Sequence, residues 1–232
     1  MNPLLFIAVA AIGYVLGSIP FGLFIGRIFA RKDIREVGSG KTGMTNVLRT
    51  AGKKAAVLSL ILDVFKGSAA VLIAWWIFRG DTTKEALIFT PVESAKVIAA
   101  LAAIAGHAWS VFLKFRGGRG VATFFGGLLA LYWPGAVVGA IFVFGIGFRT
   151  KYMSLGSIIG AVTAFILIMA LNVLRVNFLG PYPPFEYVVF TMIGAIFIYA
   201  MHRDNILRLF NGTERKIGEK AKSRTTPDTE SR

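Results

Sequence analysis

Residues 117–120 read Gly117-Gly118-Arg119-Gly120 and stand between two strongly apolar stretches, entered through Lys114-Phe115-Arg116 and left through Val121-Ala122-Thr123. Glycine lets backbone N–H groups come close to a ligand, and the N-terminus of a following helix adds donors and the positive end of a dipole. Such a segment suits an anion, with Arg119 supplying fixed charge. A basic turn that merely obeys topology rules is the plainer alternative, and only the company this segment keeps decides between them.

That company begins at residues 37–49, which contain Gly38-Ser39-Gly40-Lys41-Thr42-Gly43-Met44-Thr45-Asn46 and then Arg49. A nucleotide-binding P-loop is excluded, because the position that requires its first glycine holds Arg35 and an apolar helix replaces the preceding strand. What survives is a loop of glycine, hydroxyl and amide groups running into a helix, where Ser39, Thr45, Asn46 and Arg49 can share one polar ligand. The alternative is a capped helix start with Thr45 or Asn46 as the cap. Asp63 and Lys66 lie three apart within an apolar segment and so meet on one helix face, as a structural ion pair or as part of a site. Ser154 opens another apolar segment beside Arg149 and Lys151. Near the C-terminus His202 and Asn205 share a helix face, and Glu214 follows among basic residues.

Positioning these groups falls to membrane-spanning helices. The 232 residues are 55% hydrophobic and only 16% charged, with a mean hydropathy of +0.66, a balance that soluble domains do not reach. Apolar stretches at 3–28, 55–78, 92–113, 152–174 and 185–201 are each near the roughly 20 residues that cross a bilayer core. Residues 121–148 contain Pro134 and six glycines, and are either one long kinked helix or two that turn near 131–135. Charge decides for two. The split gathers 21 of the 26 Lys and Arg on one face, leaves four on the other and places Lys66 inside a span, whereas a single span destroys that asymmetry. The fold expected is therefore an all-α polytopic bundle of seven spans, the fourth and fifth short, with the N-terminus outside and the C-terminus cytoplasmic. Residues 1–218 form one membrane domain, and 219–232, polar and charged, a disordered cytoplasmic tail. Gly13/Gly17, Gly22/Gly26, Gly135/Gly139 and Gly156/Gly160 are small-residue pairs four apart, suited to close helix packing.

Composition also excludes chemistry. Without cysteine there is no thiolate site or disulfide, and two histidines with unclustered carboxylates do not make a transition-metal centre. No metal or other cofactor is expected. The net charge of +14 lies beside apolar spans with no nucleic-acid module, so membrane orientation and anionic substrates account for it better than nucleic acid.

Taken together, Gly38-Ser39-Gly40, Gly43, Thr45-Asn46 and Arg49, Asp63 with Lys66-Gly67, Gly106-His107, Gly117-Gly118 with Gly120-Val121-Ala122-Thr123, Ser154-Leu155, and His202-Arg203 with Asn205-Ile206, Arg208-Leu209, Gly212 and Glu214 resemble the acyl-phosphate-dependent glycerol-3-phosphate acyltransferases of bacteria, the PlsY family. The motifs follow that family's order over most of the chain. The resemblance implies seven spans with the motifs on the cytoplasmic side of the inner membrane. It also implies transfer of a fatty acyl group from acyl phosphate to the primary hydroxyl of sn-glycerol 3-phosphate, giving lysophosphatidate and phosphate without coenzyme A or a metal. The partners are then these two substrates and membrane lipid, with no obligate protein partner evident. By position, Ser39, Arg49, His202 and Asn205 form the catalytic set. Gly43, Thr45, Asn46, Gly117, Gly118, Arg119, Gly120, Ser154 and Glu214 bind substrate. Lys41, Met44, Ser110 and Arg119 depart from the usual asparagine, alanine, proline and lysine. Arg119 keeps the charge but exchanges a point ammonium for a planar fork.

Acyl phosphate is already activated, so positioning and charge stabilisation are the main tasks, and the chain offers no obvious nucleophile–base–orienter triad. Direct attack by the glycerol hydroxyl is expected, with the departing phosphate or His202 taking the proton. The competing readings are a transporter or flippase for an organic phosphate, which would place cations near the midplane, and a basic membrane scaffold.

Overall fold

The computed structural model describes residues 3–81 and 89–219. It is helical, with no strand among the described residues: α1 (Pro3–Ser18), α2 (Phe21–Ala30), α3 (Met44–Phe78), α4 (Pro91–Ala108), α5 (Val121–Leu131), α6 (Trp133–Thr150), α7 (Met153–Val173), α8 (Phe185–Met201) and α9 (Arg203–Phe210). Of the tail expected from 219 onward, all but Glu219 lies outside the described residues.

Large apolar side chains face outward on several helices, among them Ile7 at 64% exposure, Phe65 at 62% and Ile141 at 62%, as a lipid-facing surface requires. Five segments are long and apolar enough to cross a membrane: Pro3–Ala30, Met44–Phe78, Pro91–Leu113, Trp133–Thr150 and Met153–Val173. A sixth is α8 taken together with α9, which bends from it by 59°. The stretch 121–148 divides as expected, because Tyr132 is extended and Pro134 sits in the first turn of α6, where a missing N–H costs nothing. The fourth apolar segment, α5, has 11 residues, about 17 Å of helix against a core of about 30 Å. The fifth is not short: α6 has 18 residues.

Two further breaks differ from the expected spans. The first span is interrupted at Ile19 and Pro20, which separate α1 from α2. The second starts at Met44 rather than 55 and contains Gly52 at φ 85°, where the helix is locally undone. A break inside hydrocarbon frees carbonyls that must find donors from protein. Here Ser110 Oγ donates to the Ser18 carbonyl at 2.6 Å, and Lys66 Nζ donates to the Ile19 carbonyl at 3.0 Å. Lys66 also lies 2.8 Å from Asp63 Oδ1, and both residues are buried. The charge pair of α3 therefore splints α1 to α2.

Packing between neighbours is close. Gly13 and Gly17 of α1 rest on the backbone at Ala99 and Ala103 of α4, and a Cβ at Gly17 would come 2.0 Å from the Ala103 carbonyl oxygen. On the other side of the bundle Gly156 and Gly160 of α7 meet Val143 and Gly139 of α6 in the same way. Between these two blocks lies the main core, where the fully buried Phe124 and Phe190 stack at 5.3 Å between centroids. At the end where α4 and α8 begin, the Glu186 carboxylate accepts from the Thr90 N–H, Lys96 donates to Glu93, and the Tyr187 hydroxyl donates to the same carboxylate. Gly17→Ala is expected to destabilise the fold by about 2 kcal/mol through overpacking, read as a lowered Tm in detergent, while Gly145→Ala, with nothing within 4 Å of the added methyl, leaves it unchanged.

Candidate active site

The motif-bearing segments converge at the opposite end of the bundle, around one cavity of about 280 Å3. Its polar end is lined by Ser39, Lys41, Gly43, Thr45 and Asn46 from the first loop and the start of α3, with Arg49 beyond. Arg119 and Gly120 enter ahead of α5, Ser154 from α7, His202 and Asn205 from the α8–α9 bend, and Glu214 and Arg215 from the segment after α9. The same cavity continues between α3, α5, α6 and α7 as an apolar channel past Val64, Phe125, Leu129, Val137, Val143 and Phe144.

Glu214 ties three of these segments together. Its Oε1 accepts from Ser154 Oγ at 2.9 Å and from Asn205 Nδ2 at 2.6 Å, and its Oε2 accepts from Arg208 Nε at 2.8 Å. One buried carboxylate thereby holds the α7 N-terminus, α9 and its own segment in register. Arg49 extends the tie to α3, because its NH2 group donates to the carbonyls of Arg215 and Lys216, each at 3.2 Å. The Ile217 N–H donates to the Lys151 carbonyl at 2.8 Å and closes the segment against the α6–α7 link.

Cationic donors remain over. The Nε groups of Arg49 and Arg119 are both buried without a hydrogen-bond partner among the described residues, an arrangement that is costly unless an anion takes them. Burial lowers the Arg119 pKa to about 10, with the Glu214 carboxylate working against that shift, so the guanidinium is charged at neutral pH. His202 is fixed by Nδ1, 2.7 Å from the Ile198 carbonyl. A carbonyl can only accept, so Nδ1 carries the proton and the neutral ring keeps Nε2 as its acceptor.

Most of the residues singled out from sequence meet at this cavity; Gly117 and Gly118 do not, and Asn46 lines it with its amide turned to the loop. Asn46, expected to bind substrate, turns inward: Nδ2 donates to the carbonyls of Ile34, Val37 and Lys41, and Oδ1 accepts from the Ser39 N–H. It shapes the loop that carries Ser39. Gly117 and Gly118 lie outside the lining, and their N–H groups donate to the carbonyls of Ala108 and His107. They are docked on the end of α4, and Arg119 and Gly120 are the members of that loop that reach the cavity. Conversely, Asp63, His107, Arg208 and Arg215 line it without having been assigned to the site. For Arg208 the signal was its spacing of three from Asn205, which puts both on one face of α9. Among the described residues no three of His, Cys, Asp and Glu are grouped to hold a metal ion.

Comparison with known proteins defines the class. The glycerol-3-phosphate acyltransferase family model matches residues 7–212. A glycerol-3-phosphate acyltransferase 3 of Dehalococcoides mccartyi is 48% identical over 92% of this chain and 96% of its own. One of Rhodopseudomonas palustris is 41% identical over 93% and 98%. The chain belongs to the glycerol-3-phosphate acyltransferase family and is an integral membrane acyltransferase. Two solved structures of PlsY, a glycerol 3-phosphate form and a lysophosphatidic acid form, match with TM-scores of 0.75 and 0.76 at 32% and 31% identity, over 92% of this chain and 96% and 95% of theirs.

One outcome tests the geometry. Glu214→Gln should cost about 2 kcal/mol of stability, read as a lowered Tm in detergent, and lower kcat/KM by about tenfold or more, because Arg208 loses its charge partner.

Proposed function

We propose that the protein transfers a fatty acyl group from acyl phosphate to the primary hydroxyl of sn-glycerol 3-phosphate, releasing lysophosphatidate and inorganic phosphate, by direct attack and without an acyl-enzyme. The observation that carries this reading is the single cavity with a cationic end and an apolar end, which matches one phosphate-bearing polar reactant and one long-chain reactant meeting head to head. The two unsatisfied guanidinium Nε groups fit phosphoryl oxygens and the developing negative charge on the attacked carbonyl. Direct transfer is supported by what the side chains do. Ser154 donates its hydroxyl to Glu214, and His202 is oriented by a backbone carbonyl in place of the carboxylate that a triad would use.

In this reaction the glycerol hydroxyl attacks the carbonyl carbon, the carbon–oxygen bond to phosphate breaks, and the hydroxyl proton passes to the departing phosphate or to His202 Nε2. Ser39, Arg49 and Asn205 contact the reactants beside His202, while Gly43, Thr45, Arg119, Gly120 and Ser154 line the substrate site. Glu214 acts by holding Ser154, Asn205 and Arg208 in place. The charge asymmetry of the sequence supports seven membrane segments in the inner membrane with this cavity on the cytoplasmic side. An organic-phosphate transporter would need its cations near the midplane. Here Lys66, the basic residue in the middle of a span, is spent on Asp63 and the Ile19 carbonyl.

Membranes containing the protein, given glycerol 3-phosphate and either palmitoyl phosphate or palmitoyl-CoA, should form lysophosphatidate from the phosphate donor alone. Product from palmitoyl-CoA overturns the donor, and trapping of radiolabelled acyl on the protein overturns direct transfer. Arg119→Ala should lower kcat/KM by about a hundredfold, the worth of about 3 kcal/mol of charge-assisted hydrogen bonding.

A further inference from the structure

We infer that His107, backed by Asp63, is a positioning residue for Arg119: it fixes the glycine backbone from which Arg119 reaches the phosphate-bearing substrate. The inference rests on the acyltransferase reading above and concerns a buried cluster to which that reading gives no role.

The contact between His107 and the loop is made on three sides. The Gly118 N–H donates to the His107 carbonyl at 3.0 Å, and the Gly117 N–H to the neighbouring Ala108 carbonyl at 2.9 Å. The His107 ring lies against Gly118 so closely that a Cβ there would come 2.0 Å from Nε2, and a Cβ at Gly117 would come 2.0 Å from the His107 carbonyl oxygen. Both glycines are thus seated on one residue at a distance that no other side chain permits. On the far side of the ring Nδ1 lies 3.5 Å from Asp63 Oδ1, the oxygen that Lys66 holds at 2.8 Å. At 3.5 Å the contact orients the ring electrostatically and is looser than a hydrogen bond. Asp63, Lys66 and His107 are all buried, so the ring has no room to turn away.

Arg119 follows Gly118 directly and emerges into the cavity with its Nε buried and without a partner. No acceptor among the described residues holds that group in place. Its placement therefore depends on the backbone behind it, and that backbone rests on His107. Displacing a binding group by about 1 Å is enough to cost large factors in rate or affinity.

A double-mutant cycle on purified enzyme tests this, with KM measured for both substrates and run with whichever acyl donor the wild type turns over, so that an error in the donor does not disturb the result. His107→Leu, which keeps bulk but no ring nitrogen, should raise by about tenfold the same KM that Arg119→Ala raises, with kcat within about threefold. Added to Arg119→Ala, it should change that KM by less than about twofold, because a residue acting through Arg119 has nothing left to position. Unchanged KM values in His107→Leu, or the full tenfold cost persisting without Arg119, would overturn the inference. If His107→Leu does not fold, the contact is read from the loop side. Gly118→Ala, whose methyl strikes the ring, should raise the same KM by about tenfold and, added to Arg119→Ala, change it by less than about twofold. An unchanged KM in Gly118→Ala, or the full tenfold cost persisting without Arg119, also overturns the inference.

Discussion

A backbone interrupted inside hydrocarbon must have its carbonyls satisfied by the protein itself, and the rest of this molecule is arranged around meeting that requirement at Ser18 and Ile19. Pro20 ends α1; the Ser18 carbonyl takes Ser110 Oγ, and the Ile19 carbonyl takes Lys66 Nζ beside the Phe21 N–H. Lys66 is affordable there only because Asp63 stands one turn away on the same helix. The consequences travel in both directions. Toward α2 the splint fixes the exit of the chain into the loop that Asn46 then shapes around Ser39. Toward α4 Asp63 meets His107, and through it the glycines ahead of Arg119.

The cavity is assembled from distant parts of the chain by two kinds of contact that complement one another. Glycine gives proximity: Gly13, Gly17, Gly67, Gly126, Gly156 and Gly160 let helices touch at backbone distance, which keeps the bundle narrow and its polar end well defined. Buried charge gives register: Glu214 accepts from three side chains on two helices, and Arg49 clasps the carbonyls that follow it. Neither contact is strong where water competes. In a dry site each is costly to lose, which favours one arrangement over its neighbours.

Much of this was legible in the chain. Apolar length gave the segments, and the imbalance of Lys and Arg divided residues 121–148 at the place where Tyr132 and Pro134 do interrupt the helix. The spacing of Ser39 and Arg49, of His202 and Asn205, and the isolation of Ser154 and Glu214 among apolar or basic neighbours marked residues that share one cavity. What escaped depends on direction more than on residue type. An amide such as Asn46 serves a ligand or a loop equally well until the loop's carbonyls are placed around it. Gly117 and Gly118 read as an anion cradle because nothing local discloses that α4 already holds their N–H groups. The interruption at Ile19 and Pro20 was visible as a proline, but the partners that make it tolerable stand 47 and 92 residues away.

The cavity's apolar end carries one more implication. Leu129 of α5 and Val137 of α6 line it and are 44% and 43% exposed. That end runs between the apolar helices of the bundle, while the polar end gathers Arg49, Arg119 and Glu214. The two ends therefore open on different phases. A long-chain reactant arrives from a two-dimensional solvent, where its abundance is a mole fraction of the bilayer and not a molarity, whereas a sugar-like phosphate arrives from water. Saturation in one dimension says nothing about saturation in the other. The enzyme's throughput is thus set jointly by membrane composition and by the solute pool, and diluting the membrane with inert lipid slows it as surely as diluting the solute.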